Sequence, residues 1–218
     1  MFKITGSLFA VLLLSGCVST KNVQMDRESI KMSKPGSIMT TQREKPDFAA
    51  MTAGKAAFAL FGAMAMISAG NEIIEENAVD DPADFISKEL AKHLSNSLIL
   101  KMKNGDSKLI DSTDTSDIAS SYSASDLVLD VQTINWSFVY FPTDWDSYRV
   151  IYSAKIRLID TRNKSLIAEG FCSRVPEENE SAPSYDDLLN KQAAGLKKEL
   201  HEAAIHCISE FKNNVLKV

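Results

Sequence analysis

The sequence predicts an α+β fold: an antiparallel meander sheet with helices packed on one face, preceded by a signal peptide and a flexible tether. Three observations carry this expectation. Residues 126–175 hold three runs rich in β-branched and aromatic side chains, separated by turn-forming residues. Apolar stripes at helical spacing flank those runs, over 82–100 and 184–213. The order, helices then consecutive strands then a helix, implies a layered arrangement. A chain of 218 residues with 44% apolar side chains suffices for one domain with a buried core plus a tail.

The chain opens on Met1-Phe2-Lys3, a short positive segment, followed by a mostly apolar run from Ile4 to Leu14 that is too short to span a bilayer. Leu14-Ser15-Gly16-Cys17 comes next. This passage resembles the lipobox of bacterial lipoproteins: Leu, two small residues, then Cys. The resemblance implies cleavage before Cys17, a diacylglyceryl group on its thiol, and acylation of the new amino terminus. Three chains anchor firmly, because each buried methylene adds about 0.8 kcal/mol. Residues 1–16 are thus expected to be a signal peptide, 17–36 a lipidated flexible tether, and 37–218 one periplasmic domain. Val18 follows the lipidated position where inner-membrane lipoproteins of the enterobacterial kind carry Asp. The expectation is an outer-membrane anchor with the domain facing the periplasm.

Polar residues rich in Ser, Lys and Asn, closed by Pro35-Gly36, suggest the tether. Ser37 to Thr41 reads as a first short strand. Phe48 to Gly70 has one charge, Lys55, and its large apolar residues (Phe58, Leu60, Phe61, Met64, Ile67) fall all round a helical wheel. A helix apolar on every side is buried, self-associating, or in lipid; Lys55 and the many Ala and Gly residues make a poor insertion sequence, so a helix packed against protein is expected, with insertion in lipid the alternative. Asp81-Pro82-Ala83-Asp84 starts the next helix, with Asp81 as N-cap and Pro82 at its first position. Ile86, Leu90, Leu94 and Leu98 give it an apolar face. Asn104-Gly105-Asp106 is read as its end, Lys108 to Asp111 as a short strand, and 112–124 as a loop.

In the first long strand the alternation changes phase near Thr133, which calls for a bulge. In the second, Tyr148, Val150, Tyr152, Ala154, Ile156 and Leu158 face inward, while Arg149, Ser153, Lys155 and Arg157 face outward. The third spans 165–175. Ser184 caps a final helix whose stripe is Leu189, Ala193, Leu196, Leu200, Ala203, Cys207 and Phe211.

The passages from Asp47 to Lys55 and from Tyr140 to Trp145, with the late Cys pair, resemble a family of Gram-negative bacterial lipoproteins whose motifs are not tied to a known activity. The element order is also similar to small periplasmic domains such as the TolB amino-terminal domain and accessory lipoproteins of envelope machines. That second likeness is architectural and implies a scaffold or accessory role by analogy only.

No constellation points to an enzyme. His201 and His206 stand five apart, about 140° round a helix of 3.6 residues per turn, whereas the zinc-protease motif needs four. His93 reads as structural or exposed. No Gly-x-Ser-x-Gly elbow occurs, and Ala53-Gly54-Lys55 lacks the rest of a phosphate loop. The acidic residues Glu75, Glu76, Asp80, Asp81, Asp111, Asp114 and Asp117 fit helix ends and solvated loops. A catalytic residue, a metal and a cofactor are therefore not expected. The formal charge of −5, from 24 basic and 29 acidic side chains without a basic block, argues against a nucleic-acid partner.

The expected partners are the membrane, through lipid on Cys17, and another envelope protein. Phe141, Pro142 and Trp145 surround a hairpin turn, and an aromatic turn is a common hot-spot composition; a loop folded over the sheet end explains it as well. A catalytic or small-ligand-binding lipoprotein, with a cleft between sheet and helices, is the alternative reading.

Cys172 and Cys207 are expected to form a disulfide. Export places both in an oxidising compartment, and lipidation of Cys17 leaves these two thiols. Leu166, Ala168, Gly170 and Cys172 share one strand face, and Cys207 lies on the stripe of the last helix, so a helix on that sheet face brings the two together. Two separately buried free cysteines are the alternative.

Cys17→Ser is expected to abolish acylation and leave the precursor uncleaved by the lipoprotein peptidase. Metabolic labelling with palmitate checks this. Normal processing with undiminished membrane partitioning would show that another segment is the anchor.

Overall fold

The computed structural model describes residues 22–56, 59–104, 109–178 and 180–218, so the lipobox and Cys17 lie outside the described residues. In chain order the elements are α1 (Arg27–Ser33), β1 (Ser37–Thr40), β2 (Ala49–Met51), α2 (Ala53–Ala56), α3 (Ala59–Glu76), α4 (Pro82–Leu98), β3 (Lys101–Met102), α5 (Thr115–Ser121), β4 (Leu127–Phe141), β5 (Asp144–Asp160), β6 (Ser165–Arg174) and α6 (Tyr185–Glu210), closed by a π-helical turn at Phe211–Leu216.

The α+β class holds, and β4, β5 and β6 form the expected antiparallel meander. The sheet as a whole is mixed, which corrects the purely antiparallel expectation. Its order is β3-β1-β4-β5-β6, with β2 also on β4, and β1 and β2 run parallel to their neighbours. Parallel neighbours need a crossover; α4, lying between β1 and β3 in the chain, supplies one. These added strands span 4, 3 and 2 residues, too few to show an alternating pattern.

The bulge in β4 falls between Thr133 and Asn135, and it turns Ile134 outward. A second irregularity, at Leu158/Ile159, was not visible in the pattern. It sends Leu166 to the opposite face from Ala168, where it packs with Met39, Val128 and Ile159.

The main core lies between the sheet and α4 and α6. Ile86, Leu90 and Leu94 meet Leu127, Leu129, Trp136 and Phe138 there, all essentially inaccessible. Asp81 caps α4 by accepting from the Ala83 N–H, with Pro82 in the first turn, and Ile99 ends it in a left-handed conformation. Gly105, Asp106 and Lys108 lie outside the described residues. Of the short strand expected at 108–111, the described residues 109–111 form only an isolated bridge, Leu109 with Gln42.

Helices do not keep to one face. The segment read as a loop at 112–124 contains α5, capped by Asp114, which accepts from the Ser116 and Asp117 N–H groups. Its Ile118 and Ala119, with Tyr122, cover Met39, Val128 and Ile159 on the second face. Beneath that cover lies Asp130, fully buried. Its carboxylate accepts from Arg157 Nη2 at 2.7 Å and Nε at 2.9 Å, from Arg43 Nε at 2.6 Å, and from the Thr41 hydroxyl at 2.8 Å. Arg157 was expected to face solvent; it is 3% exposed. Its side chain does point away from the main core, but α5 and its flanks close over it. Removing one member of such a network costs about 3–5 kcal/mol, because the partners stay buried without compensation.

The second half of the expected tether belongs to the domain. Val23 exchanges hydrogen bonds with Glu169 at the outer edge of β6, and Met25 donates to Val215. Met25 and Ile30 are core residues, and Asp26 caps α1. Two apolar side chains among polar neighbours form no stripe, which is why the sequence reads as a linker.

The apolar stretch 48–70 is also not one helix. Phe48 and Ala50 are buried at and beside β2, and the helical part runs on to Glu76. Gly70 is required by a close approach: a Cβ there would sit 2.0 Å from the Phe48 carbonyl oxygen. Met64 is 77% exposed, so α3 is not buried all round. The side chains of Lys55, Phe58, Leu60 and Phe61 lie outside the description. No helix among the described residues is long and apolar enough to cross a membrane.

Ser184 caps α6 in a reciprocal capping box with Asp187. The helix is broken after one turn: Lys191, Gln192 and Ala193 carry φ near +55°. Each left-handed non-glycine residue costs roughly 1–2 kcal/mol, so packing must hold the break. Gly195 makes room for it, since a Cβ there would lie 2.1 Å from the Asp187 carbonyl oxygen.

Cys172 on β6 and Cys207 on α6 are joined, with Cα atoms 5.4 Å apart and 35 residues of separation. A loop of that length contributes about 4 kcal/mol in the chain-entropy model. Replacing both by Ser should lower unfolding free energy by about that amount, less whatever strain is relieved. Denaturant titration of the oxidised wild type against the double variant measures it. Two thiols reacting in denatured, unreduced protein would overturn the pairing.

Candidate functional site

The β4–β5 hairpin turns through Pro142-Thr143, with Phe141 opposite Asp144. Of the three residues singled out there, the structure separates Phe141 from the others. Phe141 is 3% exposed and lies under the Arg149 guanidinium, 5.2 Å from the ring centroid. Its role is packing. Pro142 is exposed, and Trp145 is 66% exposed, the largest accessible aromatic among the described residues. The tip is not slack. Trp145 Nε1 donates to the Pro142 carbonyl at 3.2 Å, the Ser147 hydroxyl donates to Asp144 at 2.6 Å, and the Thr143 hydroxyl donates to Glu178 in the loop between β6 and α6. The hydroxyl and backbone donors hold the Asp144 carboxyl below the usual carboxylate range.

A second place of interest lies at the N-terminus of α4. A cavity of about 280 Å³ opens between that end and α6, with apolar walls including Val79, Phe85 and Leu200, and with Asp81 and His201 at its rim. His201 is exposed and packs beside Phe85, ring centroids 4.9 Å apart. Asp81 also borders a smaller hollow of about 120 Å³ toward Arg43 and Asp111. Its carboxylate accepts from the Thr133 hydroxyl, which lies 3.0 Å from the Tyr152 hydroxyl. With Thr133 donating to Asp81, Tyr152 must donate to Thr133, a chain running from the cavity into the core. Burial raises the Asp81 carboxyl above its ordinary value, against the hydrogen bonds that lower it. Burial, then the Asp81 charge, pushes Tyr152 far up, so its phenol stays protonated.

Sequence reasoning found each member of this chain for another reason: Asp81 as a cap, Thr133 as a phase change, Tyr152 as an inward residue. Nothing local says that they meet. The remaining candidates stay apart. His206 is exposed, and His93 Nε2 lies 3.3 Å from Lys212 Nζ. Among the described residues no group of three His, Cys, Asp or Glu side chains is placed to hold a metal ion.

Taken together, the fold and these sites define an α+β domain with a hydrogen-bonded aromatic hairpin tip and two hollows that share Asp81. No protein-family model and no curated protein matches the sequence. Among solved structures the chain is similar to the lipoprotein GNA1162 of Neisseria meningitidis, at 16% identity and a TM-score of 0.29, over 81% of this chain and 99% of that one. It is similar to the hypothetical protein CT253 of Chlamydia trachomatis at 9% identity and a TM-score of 0.39, over 84% and 99%. It is similar to the C-terminal domain of LpoB from Salmonella enterica at 11% and 0.22, over 66% and 85%. Likenesses at these levels assign neither an activity nor a partner to this chain.

Asp81 gives a pH test. Its folded pKa is raised, so the folded state binds more protons than the unfolded one between the ordinary aspartate value and the raised one. Its contribution to stability is present below the ordinary value and is lost as pH rises through the folded pKa. Asp81→Asn keeps the cap and removes the titration. The stability of the variant relative to wild type is therefore expected to rise from pH 3 to pH 7 (assay limits of roughly one unit below and three above the unperturbed aspartate pKa). Urea unfolding of both proteins across that range checks it; a flat or falling difference would show that Asp81 is not desolvated.

Proposed function

We propose that this chain is a lipid-anchored accessory protein of the bacterial envelope, non-catalytic, which binds another envelope protein through the tip of the β4–β5 hairpin. The anchor is the lipid on Cys17, in the outer membrane with the domain facing the periplasm. The observation that carries the binding reading is Trp145: a large aromatic side chain, 66% exposed, on a turn held by side-chain hydrogen bonds. Exposed aromatic anchors on pre-ordered turns bind well because little conformational entropy remains to be lost. The lipobox and the disulfide support an exported, membrane-attached setting.

A second reading, a small-ligand-binding or catalytic lipoprotein, is favoured by one observation: the cavity beside Asp81, which combines apolar walls with a raised carboxyl.

Site-specific photo-crosslinking in intact cells separates them. A photoreactive residue at position 145 should give one discrete adduct with an envelope protein, while the same residue at Ile99, 91% exposed on another part of the surface, should not. Trp145→Ala should abolish partner capture and change stability by less than about 1 kcal/mol, as for other exposed positions. Indistinguishable adducts from both positions, or a loss of about 3–5 kcal/mol as for a buried Trp, would overturn the reading.

A further inference from the structure

The chain has six arginines, and five of them have polar partners. Arg27 donates to the Lys217 carbonyl and the Ser97 hydroxyl; Arg43 and Arg157 share Asp130; Arg162 holds Asp160; Arg174 reaches Glu199 and Glu202. Arg149 differs. Its Nε is buried and has no hydrogen-bond partner. None of the ion pairs among the described residues includes it. Its one contact of note is the face of Phe141.

Arg149 lines a cavity of about 330 Å³. The sheet edge creates this space. β6 ends at Arg174, opposite Tyr152, while β5 runs on from Tyr152 back to Asp144 without a strand beside it on that side. After β6 the chain meets β5 again where Tyr148 N–H donates to the Pro183 carbonyl at 2.8 Å and Ser147 bridges Ser184. The hollow between loop, strand edge and α6 remains open, and its size lies at the lower end of the range of small-ligand pockets, about 300–1,000 Å³.

The charges in its walls indicate what would fill it. Arg174 is taken by Glu199 at 3.0 Å and Glu202 at 3.3 Å, and Lys198 stands 3.8 Å from Glu202. Arg149 is left as a permanent cation, partly desolvated, with donors to spare. A guanidinium in that condition binds an anion with little further desolvation. Glu177, Glu199 and Glu202 stand in the same walls and oppose a doubly charged phosphate. A single planar carboxylate matches the guanidinium fork and adds only one negative charge. Most of the remaining lining is polar; Phe141, Tyr148, Val150 and Pro183 add a smaller apolar share, room for one apolar group beside the polar ones.

We propose that this cavity binds a monocarboxylate whose compact body combines polar groups with one apolar or aromatic group, anchored by Arg149. Two sources present that chemistry: a free carboxylic acid, and the last residue of a protein chain that ends in an apolar side chain. Trp145 does not line this site, and binding here does not depend on Trp145 taking a partner.

The test uses the folded, lipid-free chain from residue 18 onward and N-acetyl-L-phenylalanine as probe, followed by the ¹⁵N-edited Arg Nε–H signal and by calorimetry. The acid is expected to shift the Arg149 signal. Its amide, which lacks the charge, should bind at least about tenfold more weakly, the loss expected for a charged hydrogen-bonded contact. Arg149→Gln should show the same loss for the acid, and Arg149→Lys, which keeps the charge without the fork, a smaller one. Circular dichroism and unfolding midpoints of both variants establish that they are folded. A hexapeptide ending in Phe with a free carboxylate, binding more tightly than the probe, would identify a chain terminus as the source; binding of the probe alone would identify a free acid. Equal binding of acid and amide, unchanged binding by folded Arg149→Gln, equal competition by inorganic phosphate, or no saturable shift up to about 10 mM probe would each overturn the proposal.

Discussion

The Asp130 carboxylate is the constraint around which the second face of the domain is organised. It lies fully buried on β4, and two arginines converge on it from different parts of the chain. Arg43 comes from the segment between β1 and β2, and Arg157 from β5. Their remaining donors go to the carbonyls of Ile110, Ser112 and Thr113. One acid and two bases therefore fix the course of a chain segment that has little regular structure of its own, and α5 follows from where that segment is held. A hydrophobic replacement could fill the same volume, but would not specify which backbone carbonyls lie where.

The two ends of the described segment are tied into the same body. Val23 adds to the outer edge of β6, Met25 reaches Val215 in the terminal π turn, and the disulfide joins the middle of β6 to α6. An exposed edge strand is a site for unwanted pairing, and a covering segment at Val23 protects part of it.

The same edge explains the contrast between the two ends of the hairpin region. Toward Asp160, β5 has a strand on both sides; toward Asp144 its only strand neighbour among the described residues is β4, with a bridge from Ser147 to Ser184 on the other edge. The latter part carries Arg149 and leads to Trp145. The Asp81–Thr133–Tyr152 chain arises from the opposite circumstance: a bulge at Ile134 lets Thr133 meet the cap of α4 while Tyr152 stays in the core.

The residues themselves determined the elements with strong local signals. The α4 cap at Asp81-Pro82, the inward set of β5, the phase change at Thr133 and the stripe that carries Cys207 were all legible, because each depends on spacing along one element. The cysteine pairing was legible because two such stripes pointed the same way. What tertiary structure alone decided depends on contacts between segments distant in sequence. Burial of Arg157 could not be read from β5, where it alternates outward; it follows from α5 closing over that face. Parallel pairing of β1, β2 and β3 could not be read from strands of two to four residues. Docking of Met25 and Ile30 rests on two side chains with no periodicity between them. The free guanidinium of Arg149 depends on where β6 ends and how the next loop returns, a matter of geometry to which no single stretch of sequence is sensitive.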